Sequence, residues 1–298
     1  MGAVLGLAVL KPGKHGRVTD FLADALSAYR AGDTAQAATL AAHADSPLGA
    51  ELSAYLATDG SGPVYDQPRA FTTFIRGGGN VGLYQRLSAE LAARYDKLRP
   101  ESLLDLGCGD GLAVVPALGQ ASFRPSRVDL VEPSAGLLSA VDVPGGNRFE
   151  ATAQDFLTAH GSTWNLVQST FALQSIPPAE RAEVLGTLRP RTGTLLLAEF
   201  DVPELAEGSP EHLRSLAARY ERGVAEYGED ASLVAQGFLM PVLLGVAAGA
   251  QRTNWEQPAA GWAAQLTAAG FTDVTVEPLA DYWWSPAVLV TARGSHAG

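Results

Sequence analysis

Apolar residues recur at helical spacing through the first third of the chain. Phe21, Leu22, Ala25, Leu26 and Tyr29 fall on one face, and Ala37, Leu40 and Ala41 extend the pattern across residues 17–57. Asp33 and the run Asp45-Ser46-Pro47 read as turns or caps between helices. A loop rich in Gly, Pro and Asp follows at 58–70. A further helix is expected over about 80–97, with Leu83, Tyr84, Leu87, Leu91 and Tyr95 on one face and Pro100 as its stop.

The period then changes. "SLLDL", "RVDLV", the weaker "NRFEATAQDF", "WNLVQSTFAL" and "GTLLLAEFDV" are five short apolar runs, separated by helical patterns at 134–141 and 178–189. Strand alternating with helix predicts right-handed crossovers and a parallel sheet covered on both faces. The helical stretch 204–254 is far too long for a simple connection. A helix over 256–269 precedes two strands, "FTDVTVEPL" and "SPAVLVTARG", which are expected to lie antiparallel near one edge. The fold class read from this pattern is α/β. A helical N-terminal cap (1–98) precedes a mostly parallel seven-stranded, Rossmann-like domain (99–298), with an antiparallel last strand and a helical insertion (204–254).

Composition narrows the functions. The formal net charge of −11 opposes a phosphate backbone, so no nucleic-acid partner is expected. No continuous run of eighteen apolar residues occurs, and no membrane span is expected. The opening "MGAVLGLAVLKPGKHG" has its basic residues after its apolar part, and reads as mature sequence instead of a leader. The single cysteine, Cys108, excludes an intrachain disulfide and fits a reducing cytoplasm. The apolar run 238–250 reads as a lid helix or a homodimer face.

The strongest chemical signal is Asp105-Leu106-Gly107-Cys108-Gly109-Asp110-Gly111, where a buried strand meets a helix. Glycines there let the backbone turn tightly and approach a ligand closely. Glu132 stands at the end of the next strand, where an acidic residue accepts hydrogen bonds from ribose hydroxyls in nucleotide-binding α/β folds. A dinucleotide fingerprint would require a glycine where Leu112 stands. An acid at Asp105 also suits an ammonium better than a pyrophosphate. S-adenosylmethionine carries an ammonium and a sulfonium and no phosphate, so the charge pattern favours it.

"LDLGCGDG" followed by "VEPS" resembles the class I S-adenosylmethionine-dependent methyltransferases of small-molecule type. The resemblance covers 99–200, and 256–293 by strand order. It implies that Asp105, Gly107, Cys108, Gly109 and Gly111 hold the methyl donor, with Glu132 and Pro133 at the ribose. It further implies that Asp155 faces the adenine amino group, with Phe156 beside the ring. The segment opened by Ser169, "QSTFALQSIPP", would line the space around the methyl group. An N-terminal helix closing over the donor makes Tyr84, Arg76 and Asn80 candidates, because three glycines (Gly77–Gly79) precede it.

Ser169-Thr170-Phe171-Ala172 replaces the N/D-P-P-Y/F motif of relatives that methylate nucleic-acid amines, which disfavours that chemistry. The expected reaction is methyl transfer to an oxygen or nitrogen of a small, hydrophobic or aromatic molecule. Methylation of a protein or carrier-bound substrate, and a non-methylating reaction such as cyclisation, stay open. Phe171, Gln174 and Tyr65 are the expected acceptor lining. Glu199, Asp201 and His212 are candidate bases. No metal is expected.

Overall fold

The computed structural model describes residues 14–58 and 67–296. The opening segment 1–13 and Tyr65 lie outside them. The chain divides into two units. One comprises the residues up to Gly77 together with Leu205–Gln251, the other Gly78–Glu204 together with Arg252–Gly298. This division differs from the boundary near 98 that the pattern suggested. Packing is the reason: the helix after Gly77 belongs to the sheet unit, whereas the insertion belongs with the N-terminal helices.

The first unit is helical. Its elements are α1 (Lys14–Arg30), α2 (Thr34–His43), α3 (Pro47–Ala57) and α4 (Gln67–Arg76), then α10 (Pro210–Val224), α11 (Ala231–Val234) and α12 (Met240–Ala248), numbered in chain order. Asp33 accepts the Gln36 N–H at 2.9 Å and Ser46 accepts that of Gly49 at 3.1 Å, so the expected punctuation acts as N-caps. Glu221 of α10 receives both the Ser46 hydroxyl (2.8 Å) and the Leu48 N–H (3.1 Å), tying the insertion to the start of α3. Phe238, in the π-turn Ala235–Leu239, packs on Phe74 at 4.4 Å and Phe71 at 5.4 Å between ring centroids. The run Gly228–Ala248 is long and apolar enough to cross a bilayer by length and composition. Its Val234, Leu239, Met240, Leu243, Leu244 and Ala247 are buried, as a core helix also requires.

The second unit starts with α5 (Gly78–Leu98) and holds a seven-stranded sheet. The strands are β1 (Ser102–Leu106), β2 (Arg127–Val131), β3 (Asn147–Phe149), β4 (Trp164–Thr170), β5 (Thr192–Phe200), β6 (Thr272–Ala280) and β7 (Ala287–Arg293). Their order is β3-β2-β1-β4-β5-β7-β6. The first five pair in parallel, and β7 inserts antiparallel between β5 and β6. Helices α6 (Val114–Gln120), α7 (Ala135–Ala140), α8 (Ala153–Ala159), α9 (Pro178–Leu188) and α13 (Ala259–Ala268) complete the unit.

The weak third strand is shorter than its sequence run. Pairing ends at Phe149, and Thr152 then accepts the Asp155 N–H at 3.1 Å to cap α8. Local capping thus converts "AQDF" from strand into helix. Trp164, Val167, Leu195 and Leu197 form the sheet's core with Trp262 and Leu266 of α13.

Candidate functional site

The glycine loop follows β1 at the point where the strand order reverses, between β1 with β2 on one side and β4 on the other. Open parallel sheets form a crevice beyond the carboxyl ends of their strands at such a point. Gly107 has φ of 76°, and a Cβ there would overlap that of Ala172, on the segment after β4. Only glycine allows this crossing. The loop is held by the Gly107 and Cys108 N–H groups, both of which donate to the Val131 carbonyl (2.8 and 3.0 Å).

Beneath the loop, Asp105 is buried, and neither carboxylate oxygen has a hydrogen-bond partner among the described residues. Burial raises its carboxyl to about 7. The Gln168 amide beside it, set outside hydrogen-bond geometry, opposes the rise, and the Glu132 charge adds to it. Gln168 Nε2 is likewise without a partner, while its Oε1 accepts the Tyr95 hydroxyl. A buried carboxylate left in this way is costly unless a donor arrives to satisfy it. Glu132 is engaged already. Its Oε2 accepts the Gly109 N–H at 3.1 Å and its Oε1 the Ser134 N–H at 3.0 Å.

A cavity of about 310 Å³ opens beside the loop, with Glu132 in its wall and Asp105 behind Leu106 and Gly107. Leu106, Gly107, Val131, Glu132 and Pro133 wall one side, Ala151–Gln154 another, and Ala172, Leu173, Ser175, Ile176, Pro177 and Glu180 the third. It is a mostly apolar slot with a carboxylate at its edge, and its volume lies within the range of small-ligand sites.

The other expected donor residues are placed differently. Asp155 is exposed and receives the Thr152 hydroxyl at 2.8 Å, while the adjacent Gln154 lines the cavity. Phe156 is buried in the core against Phe149, His160 and Trp164. Ser169 spends its hydroxyl on the Leu106 carbonyl (2.8 Å), tying β4 to β1. Cys108 is buried, and burial, reinforced by the Asp105 and Glu132 charges, pushes its thiol well above the usual range. That keeps it protonated and unreactive. Gly111, with φ of 84°, packs where Val115 and Val141 leave no room for a side chain.

A second cluster lies at the carboxyl ends of β4 and β5. Phe171 has φ of 54°, a left-handed conformation rare for a bulky residue. Its ring stacks on Phe200 at 4.6 Å and meets Tyr84 of α5 edge-on at 6.0 Å. Phe200 in turn stacks on Tyr282 at 5.3 Å, whose hydroxyl donates to Asn80 (3.0 Å). Gln174 donates its backbone N–H to Glu199 Oε1 at 3.2 Å. Burial, then the Asp110 and Glu199 charges, raise the Tyr84 hydroxyl to about 12.

Of the three candidate bases, Glu199 belongs to this cluster. Asp201 instead accepts the Ala259 N–H at 2.7 Å, at the first residue of α13, and so serves the helix start. His212 lies in the first turn of α10, in the helical unit, where its Nδ1 accepts the Gly208 N–H at 3.1 Å. Arg76 ends α4 in that same unit, with an exposed side chain.

The strand order, the antiparallel β7 and the glycine loop after β1 together define the architecture. It is a Rossmann-like fold with one antiparallel strand. No protein-family model and no curated protein sequence matches the chain. Solved structures of similar backbone include mitomycin 7-O-methyltransferase (15% identity, 92% of this chain and 75% of that one, TM-score 0.49). Magnesium protoporphyrin IX methyltransferase of Synechocystis PCC 6803, with bound S-adenosylhomocysteine, is another (14%, 78% and 97%, 0.48). Human N-acetylserotonin methyltransferase in complex with S-adenosylmethionine is a third (14%, 83% and 70%, 0.44).

Several site residues were not singled out from the sequence. Gln168 carried a signal, being a polar residue inside an apolar strand buried on both faces. Arg181, in α9, is fully buried. It donates to the Leu173 (3.0 Å) and Trp255 (3.1 Å) carbonyls and lies 4.3 Å over the Trp262 ring.

Proposed function

We propose that the chain is an S-adenosylmethionine-dependent methyltransferase acting on an oxygen or nitrogen of a small, hydrophobic or aromatic molecule. The observation that carries this reading is the buried Asp105 carboxylate, both oxygens unpartnered, beneath a glycine loop that borders an apolar slot. An ammonium satisfies such a carboxylate, whereas a pyrophosphate would be repelled by it and by Glu132 and Glu180 in the slot's walls.

The residues fit the donor. Asp105 and the glycine loop are set to hold its amino-acid end, and Glu132 its ribose. The apolar walls from Val131, Ala153 and Ile176 suit a purine face. When bound, this cofactor supplies an activated methyl group on a sulfonium. The protein contributes position: a rigid loop and strained Phe171 fix the wall beside the reacting centre, and orientation of this kind provides much of the rate in a displacement. The stacked rings of Phe171, Phe200 and Tyr282 are the observation that favours an aromatic acceptor.

Calorimetry tests the reading directly. One-to-one binding of S-adenosylhomocysteine is expected, with no binding of NAD and a large loss of affinity in D105N. Binding of NAD with none of S-adenosylhomocysteine would overturn it.

A further inference from the structure

Glu199 is the penultimate residue of β5 and is completely buried. Its Oε1 accepts the Gln174 N–H, but its Oε2 has no partner, and among the described residues it makes no ion pair. The cation whose field it feels is Arg181, whose Nε donates to Gln265 Oε1 (2.9 Å) and whose Nη1 donates to the Leu173 and Trp255 carbonyls, while its Nη2 is buried and makes no hydrogen bond among the described residues. The side-chain Oε1 of Gln174 is also buried and unpartnered. Two neighbouring elements therefore each hold an acceptor oxygen with no donor. A fold retains such unpaired atoms only at a cost in stability, which a bound molecule that supplies a donor offsets.

Their position says which partner. Residues 171–176 form a partition. Ala172, Leu173, Ser175 and Ile176 wall the slot on one side, while Gln174 bonds to Glu199 and Phe171 stacks on Phe200. Tyr84 lies in the fields of both Asp110, in the glycine loop, and Glu199. The carboxylate therefore sits at the sheet's carboxyl edge, bonded to the Gln174 N–H and within the electrostatic reach of Tyr84, with the Phe171–Phe200 stack beginning at the next residue of the strand.

Building on the methyltransferase reading, we infer that Glu199 is the proton acceptor for the molecule being methylated, and that this molecule is aromatic and presents an O–H or N–H to Glu199 Oε2. The step balances. The new bond from the acceptor heteroatom to the methyl carbon forms as the methyl–sulfur bond breaks, and that bond's electron pair remains on sulfur. The heteroatom's proton passes to Glu199. A sulfonium and a carboxylate become a neutral thioether and a carboxylic acid. Burial, opposed by the Gln174 N–H, raised further by Glu256 and lowered by Arg181 and by the nearby Leu173 N–H, which lies outside hydrogen-bond geometry, brings Glu199 to about 8, where a base is matched to a near-neutral working pH. Tyr84 is the other titratable group facing it, and stays protonated throughout that range.

The test uses the full chain loaded with S-adenosylhomocysteine. Naphthol and naphthylamine are titrated by calorimetry beside their methoxy and dimethylamino counterparts, in wild type, E199Q and E199D. The naphthol and naphthylamine arms separate an O–H from an N–H acceptor. Wild type is expected to prefer at least one X–H compound over its methylated counterpart by about ten-fold, the scale of one hydrogen bond to a charged group. E199Q loses that preference, E199D keeps part of it, and both hold S-adenosylhomocysteine as wild type does. The inference is overturned if E199Q keeps the preference, or if no X–H compound distinguishes the two proteins, as for a carboxyl that merely holds a buried water. It is equally overturned if E199Q loses S-adenosylhomocysteine, which would put Glu199 in the donor site. Failure of wild type to bind S-adenosylhomocysteine would instead overturn the methyltransferase reading.

Discussion

Glu132 Oε2 accepts the backbone N–H of Gly109 at 3.1 Å, so the acid that closes β2 also fixes the loop that closes β1. With the Ser134 N–H on its other oxygen, one side chain ties the glycine loop to the turn that opens α7. This relationship gives Glu132 the duty of shaping the loop, and the proposed function adds a second, accepting from ribose hydroxyls.

Replacing Glu132 by Ala is therefore expected to weaken donor binding by about 1–3 kcal/mol, and to lower stability by a smaller amount through the freed Gly109 N–H. E132Q, which can still accept from Gly109, should keep stability while losing part of the affinity. Calorimetry with S-adenosylhomocysteine and a thermal melt separate the two duties. Unchanged affinity in folded E132A would remove Glu132 from the donor site.

The loop crossing gives a second expectation. Gly107→Ala places a methyl group against Ala172 at a positive φ, so both sterics and backbone oppose it. Gly109→Ala also has a positive φ, but nothing lies within 4 Å of its added Cβ. G109A should thus lose only about 1–2 kcal/mol of stability, the left-handed penalty, whereas G107A loses more and perturbs the slot. Equal melting temperatures for the two variants would contradict the crossing.

The sheet and its loop were legible because periodicity and glycine chemistry are local. The run "LLDLGCGDG" states both a buried strand and a turn needing φ above zero, and Glu132 follows from the spacing to the next strand end. The side of the slot formed by Ala151–Gln154 was less legible, since the N-cap at Thr152 shifts which of Gln154, Asp155 and Phe156 reaches it. The Glu199 cluster depends on side chains brought together from α5, β4, β5 and α9, and no local pattern encodes that meeting. Nor did the pattern at 78–98 reveal that α5 packs with the sheet. An amphipathic face reports that it is buried, not against what. Ser88, on that face, donates to the Ala113 carbonyl beside α6 (3.1 Å).

Phe171 offers a test of strain at the site. Its φ of 54° costs about 1–2 kcal/mol for a residue with a Cβ. Phe171→Gly should therefore be more stable than Phe171→Ala by roughly that amount, reversing the usual order of the two residues. Both lose the stack on Phe200, so both should lose affinity for naphthol while retaining S-adenosylhomocysteine. Were the alanine variant the more stable, the left-handed conformation would not be the one populated in solution.

The last expectation concerns pH and follows from Asp105. Its folded carboxyl titrates at about 7, against 3.8 for the ordinary group, so between those values the folded protein holds a proton that the unfolded chain has released. Stability then falls as pH rises through this window, and levels above it, because the unfolded state binds fewer protons than the native one there. Asn at 105 has no charge to desolvate. D105N should accordingly melt higher than wild type at pH 8, with the difference shrinking toward pH 4, where both proteins are neutral at this position. Donor binding works in the opposite direction. An ammonium beside Asp105 favours the ionised form, so binding of S-adenosylhomocysteine near pH 6 should release about one proton from wild type and none from D105N. Calorimetry in two buffers of different ionisation enthalpy counts that proton. Equal proton release from wild type and D105N would show that Asp105 is not the group that meets the ammonium.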